Sequence, residues 1–193
     1  MHIKNWLLMS ISIYIFAIGV YTFWSYLAFV NLDKFEWTGS LLFLPHGVRV
    51  IGICYFGYKA IPSLYLAEIT GPLLVYPQYY FDVWPAASIA SMLAVIIACE
   101  LVKWSGVNIK ENIIAPKNFT NYRPLALVVV LSALFNSIGA NVVTSIMANV
   151  VIDGIVVMRF FVGDVLGAVV LILFLSAVFT SLKQNRLLLN DKE

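Results

Sequence analysis

A run of apolar residues from Ser40 to Tyr58 encloses four residues that are unusual in a membrane helix: Pro45, His46, Gly47 and Arg49. They supply a helix-disrupting ring, a titratable imidazole, a flexible backbone position and a permanent cation. A charged side chain at the centre of a bilayer costs from about 2.5 kcal/mol upward, so it faces the interior of a helical bundle and pairs there. The run therefore predicts a polytopic membrane protein that holds a buried partner for Arg49.

Composition supports this interpretation. The chain is 62% hydrophobic and 11% charged, whereas soluble domains are roughly 25% charged. Its 193 residues predict a single bundle over residues 1–181 and a short cytoplasmic tail over residues 182–193. A net charge of +2 gives no reason to expect nucleic acid as a partner. Cys54 and Cys99 both fall in predicted spans, where we expect small apolar residues and neither a disulfide nor a metal site.

Six apolar stretches predict an all-α fold of about six transmembrane helices, since roughly 20 residues cross the hydrocarbon core. The stretches are residues 6–30, 40–58, 61–76, 84–102, 124–152 and 154–181. Basic residues in alternate connectors then set the orientation. One side collects Lys4, Lys59, Lys103, Lys110, Lys117, Arg123, Lys183, Arg186 and Lys192, and the other side collects Lys34 alone. The asymmetry predicts cytoplasmic N and C termini.

Polar residues in other spans lie at depths similar to that of Arg49 and His46. They are Glu68, Asn136, Asn141 and Asp164, and together they predict one polar cluster inside the bundle. Two ionised acids around one arginine leave one negative charge in excess. A proton, a cation, a cationic ligand or a protonated His46 would neutralise it. Two interpretations stay open: the cluster binds or titrates something, or it only fixes the register of the helices.

Small residues indicate where helices approach one another. Gly163 and Gly167 flank Asp164 at GxxxG spacing, which predicts close approach of a neighbouring helix. Pro45 and Gly47 predict a broken or kinked helix whose freed backbone groups line a cavity, or simply a bend. Ala86, Ala90, Ala94 and Ala98 repeat every fourth residue, which predicts a packing face, either within the bundle or toward another chain.

Two groups of motifs suggest a family. The first is Phe43-Leu-Pro-His-Gly-Val-Arg-Val-Ile-Gly followed by Phe56-Gly-Tyr-Lys-Ala-Ile-Pro, and the second is Asn136-Ser-Ile-Gly followed by Phe161-Val-Gly-Asp-Val-Leu-Gly. They resemble the first type of membrane-associated sensor (MASE) domain, an input module of bacterial signalling proteins. The resemblance implies that Pro45, Gly47, Asp164 and Gly167 lie at the core of the fold. Such domains typically have eight spans and an output domain, whereas six spans and no GGDEF, EAL or kinase sequence are found here.

Three functions follow as alternatives. The first is a MASE-like sensory or scaffold protein that binds a ligand or partner and signals through another membrane or cytoplasmic protein, or through a second copy of itself. The second is a small-solute-binding transport subunit similar to those of energy-coupling-factor transporters. The third is an ion or proton pathway. No catalytic motif of the common hydrolase, phosphate-loop or metalloprotease types is present, so we expect no enzyme, no cofactor and no metal site.

Overall fold

The computed structural model describes residues 3–30, 40–75, 82–107, 109 and 122–190, and every regular element in these ranges is helical. The all-α prediction is therefore confirmed. The elements are α1 Ile3–Val30, α2 Leu44–Phe56, a 3₁₀ helix Gly57–Ala60, α3 Ile61–Val75, α4 Trp84–Trp104, α5 Arg123–Ala148 and α6 Gly154–Asn190.

Five helical segments are long and apolar enough to cross a membrane: Lys4–Ala28, Leu44–Val75, Trp84–Trp104, Arg123–Ala148 and Gly154–Gln184. The two predicted spans 40–58 and 61–76 fall largely within the single segment Leu44–Val75, which contains α2, the 3₁₀ helix and α3. Large apolar side chains stay exposed on the outer faces, for example Leu8, Ile97 and Leu173. Such a surface suits a hydrocarbon solvent, where apolar side chains need no protein cover.

Within Leu44–Val75, α3 folds back against α2. Gly57 ends α2 with a φ of 68°, a left-handed conformation that glycine adopts at little cost. Arg49 on α2 contacts Glu68 on α3, 19 residues later, although 19 residues of one straight helix would extend about 28 Å. The two helices have 13 and 15 residues, or about 20 and 22 Å. They therefore form an antiparallel hairpin whose arms are shorter than the roughly 30 Å hydrocarbon core.

The segment Ser40–Phe43, which leads into α2, is not helical and lies directly against α6. A Cβ atom at Gly163 would overlap the Ser40 carbonyl, and one at Gly167 would overlap the Phe43 carbonyl. The Phe43 N–H donates to the Gly163 carbonyl at 2.9 Å. The GxxxG prediction of close approach is thus correct, but the neighbour at these two glycines is irregular backbone rather than the expected helix.

Irregular backbone at membrane depth is tolerated only where protein groups satisfy its hydrogen bonds. In this segment, Trp24 and Ser40 bond to the backbone of Leu42. The indole N–H of Trp24 donates to the Leu42 carbonyl, and the Leu42 N–H donates to the Ser40 hydroxyl at 3.2 Å. The Trp24 ring also packs edge-on against Phe43, with 4.8 Å between ring centroids. This segment is held in place by α1 on one side and α6 on the other.

Pro45 lies in the first turn of α2, where its missing N–H has no helical partner to lose. The predicted break or kink inside a helix is therefore wrong: the proline begins a helix. Gly47 lies two residues further on, and a Cβ there would be 2.9 Å from the Cα of Ala168. The contact between α2 and α6 thus depends on small residues on both helices.

The remaining helices close the bundle. Helices α4 and α5 pack along each other more extensively than any other pair, and Ala94 and Ala98 of the alanine stripe are buried. Helix α6 continues to Asn190, so the predicted tail from residue 182 is helical through most of its length. No glycine or proline interrupts residues 181–190, and nothing there ends the helix where the apolar sequence ends.

Candidate functional site

Arg49 lies in the interior with 6% of its surface exposed, and it contacts three different groups. Its Nε–H donates to the Glu68 carboxylate in an ion pair. Its Nη1 lies 3.4 Å from His46 Nδ1, and its guanidinium carbon lies 5.2 Å from the centre of the Phe43 ring. An ion pair, a hydrogen bond and a cation–π contact together replace the water that the guanidinium loses. Glu68 is therefore the direct partner that the sequence required.

His46 is fully buried and connects Arg49 to α5. Its Nε2 lies 3.0 Å from the Ser132 hydroxyl oxygen, while the Ser132 hydroxyl donates to the Val129 carbonyl at 3.1 Å. Because a hydroxyl has one hydrogen, Ser132 accepts from His46, and the Nε2 atom carries the imidazole proton. The Nδ1 atom of the neutral ring is then free to accept from Arg49.

Asp164 approaches the same imidazole from α6. Its Oδ2 lies 3.7 Å from His46 Nδ1 and accepts a 2.6 Å hydrogen bond from Asn136 Nδ2. The Asp164 side chain is 1% exposed. The Oδ1 atom of Asn136 is buried and has no hydrogen-bond partner among the described residues. A buried acceptor without a donor destabilises the folded state. Asn136, whose amide orients Asp164, therefore carries one unsatisfied atom.

We name these side chains the polar cluster: Glu68, Arg49, His46, Ser132, Asp164 and Asn136. They come from α2, α3, α5 and α6, and each contacts at least one other member. One arginine and two ionised carboxylates leave a net charge of −1 when His46 is neutral. One proton on His46 or Asp164 brings the cluster to neutrality, which low-dielectric surroundings favour.

The structure brings together all but one of the predicted cluster residues. Asn141 is the exception, because its amide donates to the Ser137 carbonyl of its own helix at 2.7 Å. Five residues beyond Asn136, it points about 140° away around the helix. Ser132 was not predicted from the sequence, although its position four residues before Asn136 places it on the same face of α5.

The space next to the cluster is small. A cavity of about 20 Å³ lies between α1, α2 and α3 and is lined in part by Arg49 and Glu68, which is room for about one water molecule. A larger groove of about 240 Å³ lies between α1, α2, α5 and α6 and has an almost wholly apolar lining, including Ile51 and Ile172. Within the described ranges, no three His, Cys, Asp or Glu side chains are arranged to hold a metal ion.

No protein-family model, no curated protein and no solved structure matches this chain. The resemblance to MASE domains therefore stays a prediction, carried by the motifs around Pro45 and Asp164. The structure does place both motifs together, since Gly47 and Ala168 bring α2 and α6 into contact beside the cluster.

Proposed function

We propose that this chain is a MASE-like sensory or scaffold protein of the bacterial inner membrane, which binds a ligand or partner and signals through another protein. The observation that supports the proposal is the polar cluster itself. It joins four helices through buried side chains. A change in the contacts of one member therefore changes the packing of α2 against α3, α5 and α6.

His46 gives the cluster two arrangements. In the neutral ring, Nδ1 accepts from Arg49 across 3.4 Å. In the protonated ring, Nδ1–H no longer accepts and instead donates toward Asp164 across 3.7 Å. One imidazole nitrogen thus exchanges a partner on α2 for a partner on α6. A ligand, a partner or a proton that favours one arrangement shifts the population between them.

The proposal includes six membrane crossings with both termini in the cytoplasm. Its support is the α2–α3 hairpin, which reverses the chain direction at the turn Gly57–Ala60. If both arms cross, Lys59 lies on the same side as Lys103 and Lys183. A five-crossing chain would place the two termini on opposite sides. Fluorescent-protein and alkaline-phosphatase fusions at each terminus distinguish five crossings from six. A fusion at Lys59, where we expect fluorescence, distinguishes six crossings from a hairpin that enters and leaves the membrane on one side. We expect fluorescence and no phosphatase activity at both ends, and phosphatase activity at either end would contradict the proposal.

At the polar cluster, the geometry favours a protein partner or a proton over a metabolite as the species to which the cluster responds. The cavity at Arg49 and Glu68 has room for about one water molecule and offers no chamber for a metabolite. A proton or ion pathway would continue from the cluster through Glu100. That carboxylate accepts from Tyr58 at 2.7 Å and from Lys103 at 2.5 Å, so it is engaged in a separate cluster at the far end of α2.

The test is photo-crosslinking in native membranes, followed by purification in mild detergent and mass spectrometry for proteins and small molecules. We expect one reproducible protein partner with the wild type. We expect a several-fold change in its recovery with Asp164→Asn, and no change with Gly19→Ala, where an added methyl group would have no atom within 4 Å. A stoichiometric metabolite without a protein partner would refute the sensory or scaffold proposal, as would equal recovery with Asp164→Asn.

A further inference from the structure

Cys54 and Cys99 are the two cysteines of the chain, and the fold brings them together from α2 and α4. Their sulfur atoms are 3.3 Å apart, and the residues are 5% and 3% exposed. A disulfide requires about 2.0 Å between the sulfurs, so an approach of about 1.3 Å closes the bond. From this geometry we propose that Cys54 and Cys99 form a redox-active pair, whose disulfide locks α2 to α4.

The surroundings of the pair suit a reversible reaction more than a permanent crosslink. About one turn beyond the cysteines, Tyr58 in the 3₁₀ helix and Lys103 in α4 both donate to the Glu100 carboxylate. The Lys103 side chain is 48% exposed, so the pair lies within about one turn of an exposed, polar end of the bundle. Disulfides in contact with reducing compartments are typically transient and sense redox state.

The reaction balances with one oxidant. The two thiols lose two protons and two electrons as the S–S bond forms. A quinone accepts the two protons and the two electrons and becomes a hydroquinone. The oxidant is assigned to the lipid phase because both thiols are buried between helices whose outer faces are apolar, for example at Leu93 and Ile97 of α4.

Locking this pair has a structural consequence of its own. Helix α2 contributes His46 and Arg49 to the polar cluster, whereas α4 contributes no side chain to it. The disulfide therefore fixes α2 to a neighbouring helix that contributes nothing to the polar cluster. The redox reaction does not depend on the proposed sensory function, and the experiment below measures it without a signalling partner.

The experiment uses the full chain in lipid nanodiscs, treated with duroquinone, a small apolar quinone with no free ring position for thiol addition, or with dithiothreitol. The protein is then denatured in SDS and labelled with a maleimide that carries a polyethylene glycol chain. We expect two adducts on the reduced wild type and at least a tenfold loss of label after quinone, with migration as a monomer. The intact mass should fall by two hydrogens, and a Cys54–Cys99 peptide should appear after proteolysis.

Two variants serve as controls. Cys54→Ser should carry one adduct under both conditions. The double variant Cys99→Ser, Leu101→Cys keeps two thiols but moves one to a lipid-facing position, about 200° around α4, and should carry two adducts under both conditions. Two adducts on quinone-treated wild type would overturn the proposal, as would label lost only through dimers. Oxidation by the polar reagent diamide but not by duroquinone would overturn the assignment of a lipid-phase oxidant.

Discussion

Replacing Gly167 by alanine tests whether close contact between α6 and the Ser40–Phe43 segment holds the fold together. A methyl group at this position would overlap the carbonyl of Phe43 and approach the backbone nitrogen of Leu44 at 2.7 Å. Both obstacles are backbone atoms, which cannot rotate away as the end of a side chain can. The segment must therefore move away from α6, and the 2.9 Å hydrogen bond from Phe43 to Gly163 lengthens or breaks.

Three effects determine the size of the change. Overpacking costs about 1–3 kcal/mol, and the lost hydrogen bond adds about 0.5–1.5 kcal/mol. Alanine in place of glycine within a helix returns about 0.5–1 kcal/mol. The free energy of unfolding of Gly167→Ala should therefore fall by about 0.5–4 kcal/mol, because the packing terms outweigh the gain in helix propensity.

The assay is reversible unfolding in mixed micelles of mild detergent and SDS, followed by helical circular dichroism. Gly19→Ala on α1 is the matched control, because a methyl group there has no atom within 4 Å; its stability should be unchanged or higher. Gly139→Ala is a second control, with only an ordinary 3.9 Å contact to Ala90. If Gly167→Ala unfolds at the same SDS fraction as Gly19→Ala, the reasoning about the α6 contact is refuted.

Two further predictions concern single contacts. Asn136→Ala removes the donor to the buried Asp164 and should lower the free energy of unfolding by about 1–3 kcal/mol. Asn141→Ala removes a bond only within its own helix and should change it by less than about 0.5 kcal/mol; similar losses for both asparagines would contradict the assignment. Gly57→Ala forces a side chain into a φ of 68° and should cost about 1–2 kcal/mol, measured in the same assay. No loss of stability would show that the hairpin turn does not require glycine.

The buried partner of Arg49 was predictable because the cost of a charge in a bilayer does not depend on packing details. Depth along the spans also brought Glu68 and Asp164 to the correct level. Depth alone does not say which acid makes the direct ion pair, because that depends on how α3 and α6 pack around α2. The structure assigns the ion pair to Glu68 and places Asp164 behind His46.

Errors arose where one pattern is compatible with two structures. Proline suits the first turn of a helix as well as a kink, and the irregular Ser40–Phe43 segment decides in favour of the first turn. GxxxG spacing reports close approach but not which kind of element approaches. Asn141 was predicted to join the polar cluster because of its depth alone. Its angular position around α5 points it away from the cluster. The resemblance to MASE domains and the sensory function stay predictions.

The central claim is that the buried contact between Arg49 and Glu68 holds α2 and α3 together, and a double-mutant cycle measures it most directly. The cycle compares Arg49→Gln, Glu68→Gln and the double variant by unfolding in mixed micelles. Each single variant leaves a buried charge unpaired and should cost about 3–5 kcal/mol, while the double variant leaves neither.

The control cycle uses Glu100 and Lys103, an ion pair whose side chains are 32% and 48% exposed. Its coupling energy should be small, because water screens both charges. For Arg49 and Glu68 we predict a coupling energy of at least about 2 kcal/mol, since the double variant should lose far less stability than the sum of the two single losses. Additive losses, with no more coupling than in the Glu100 and Lys103 cycle, would contradict the account.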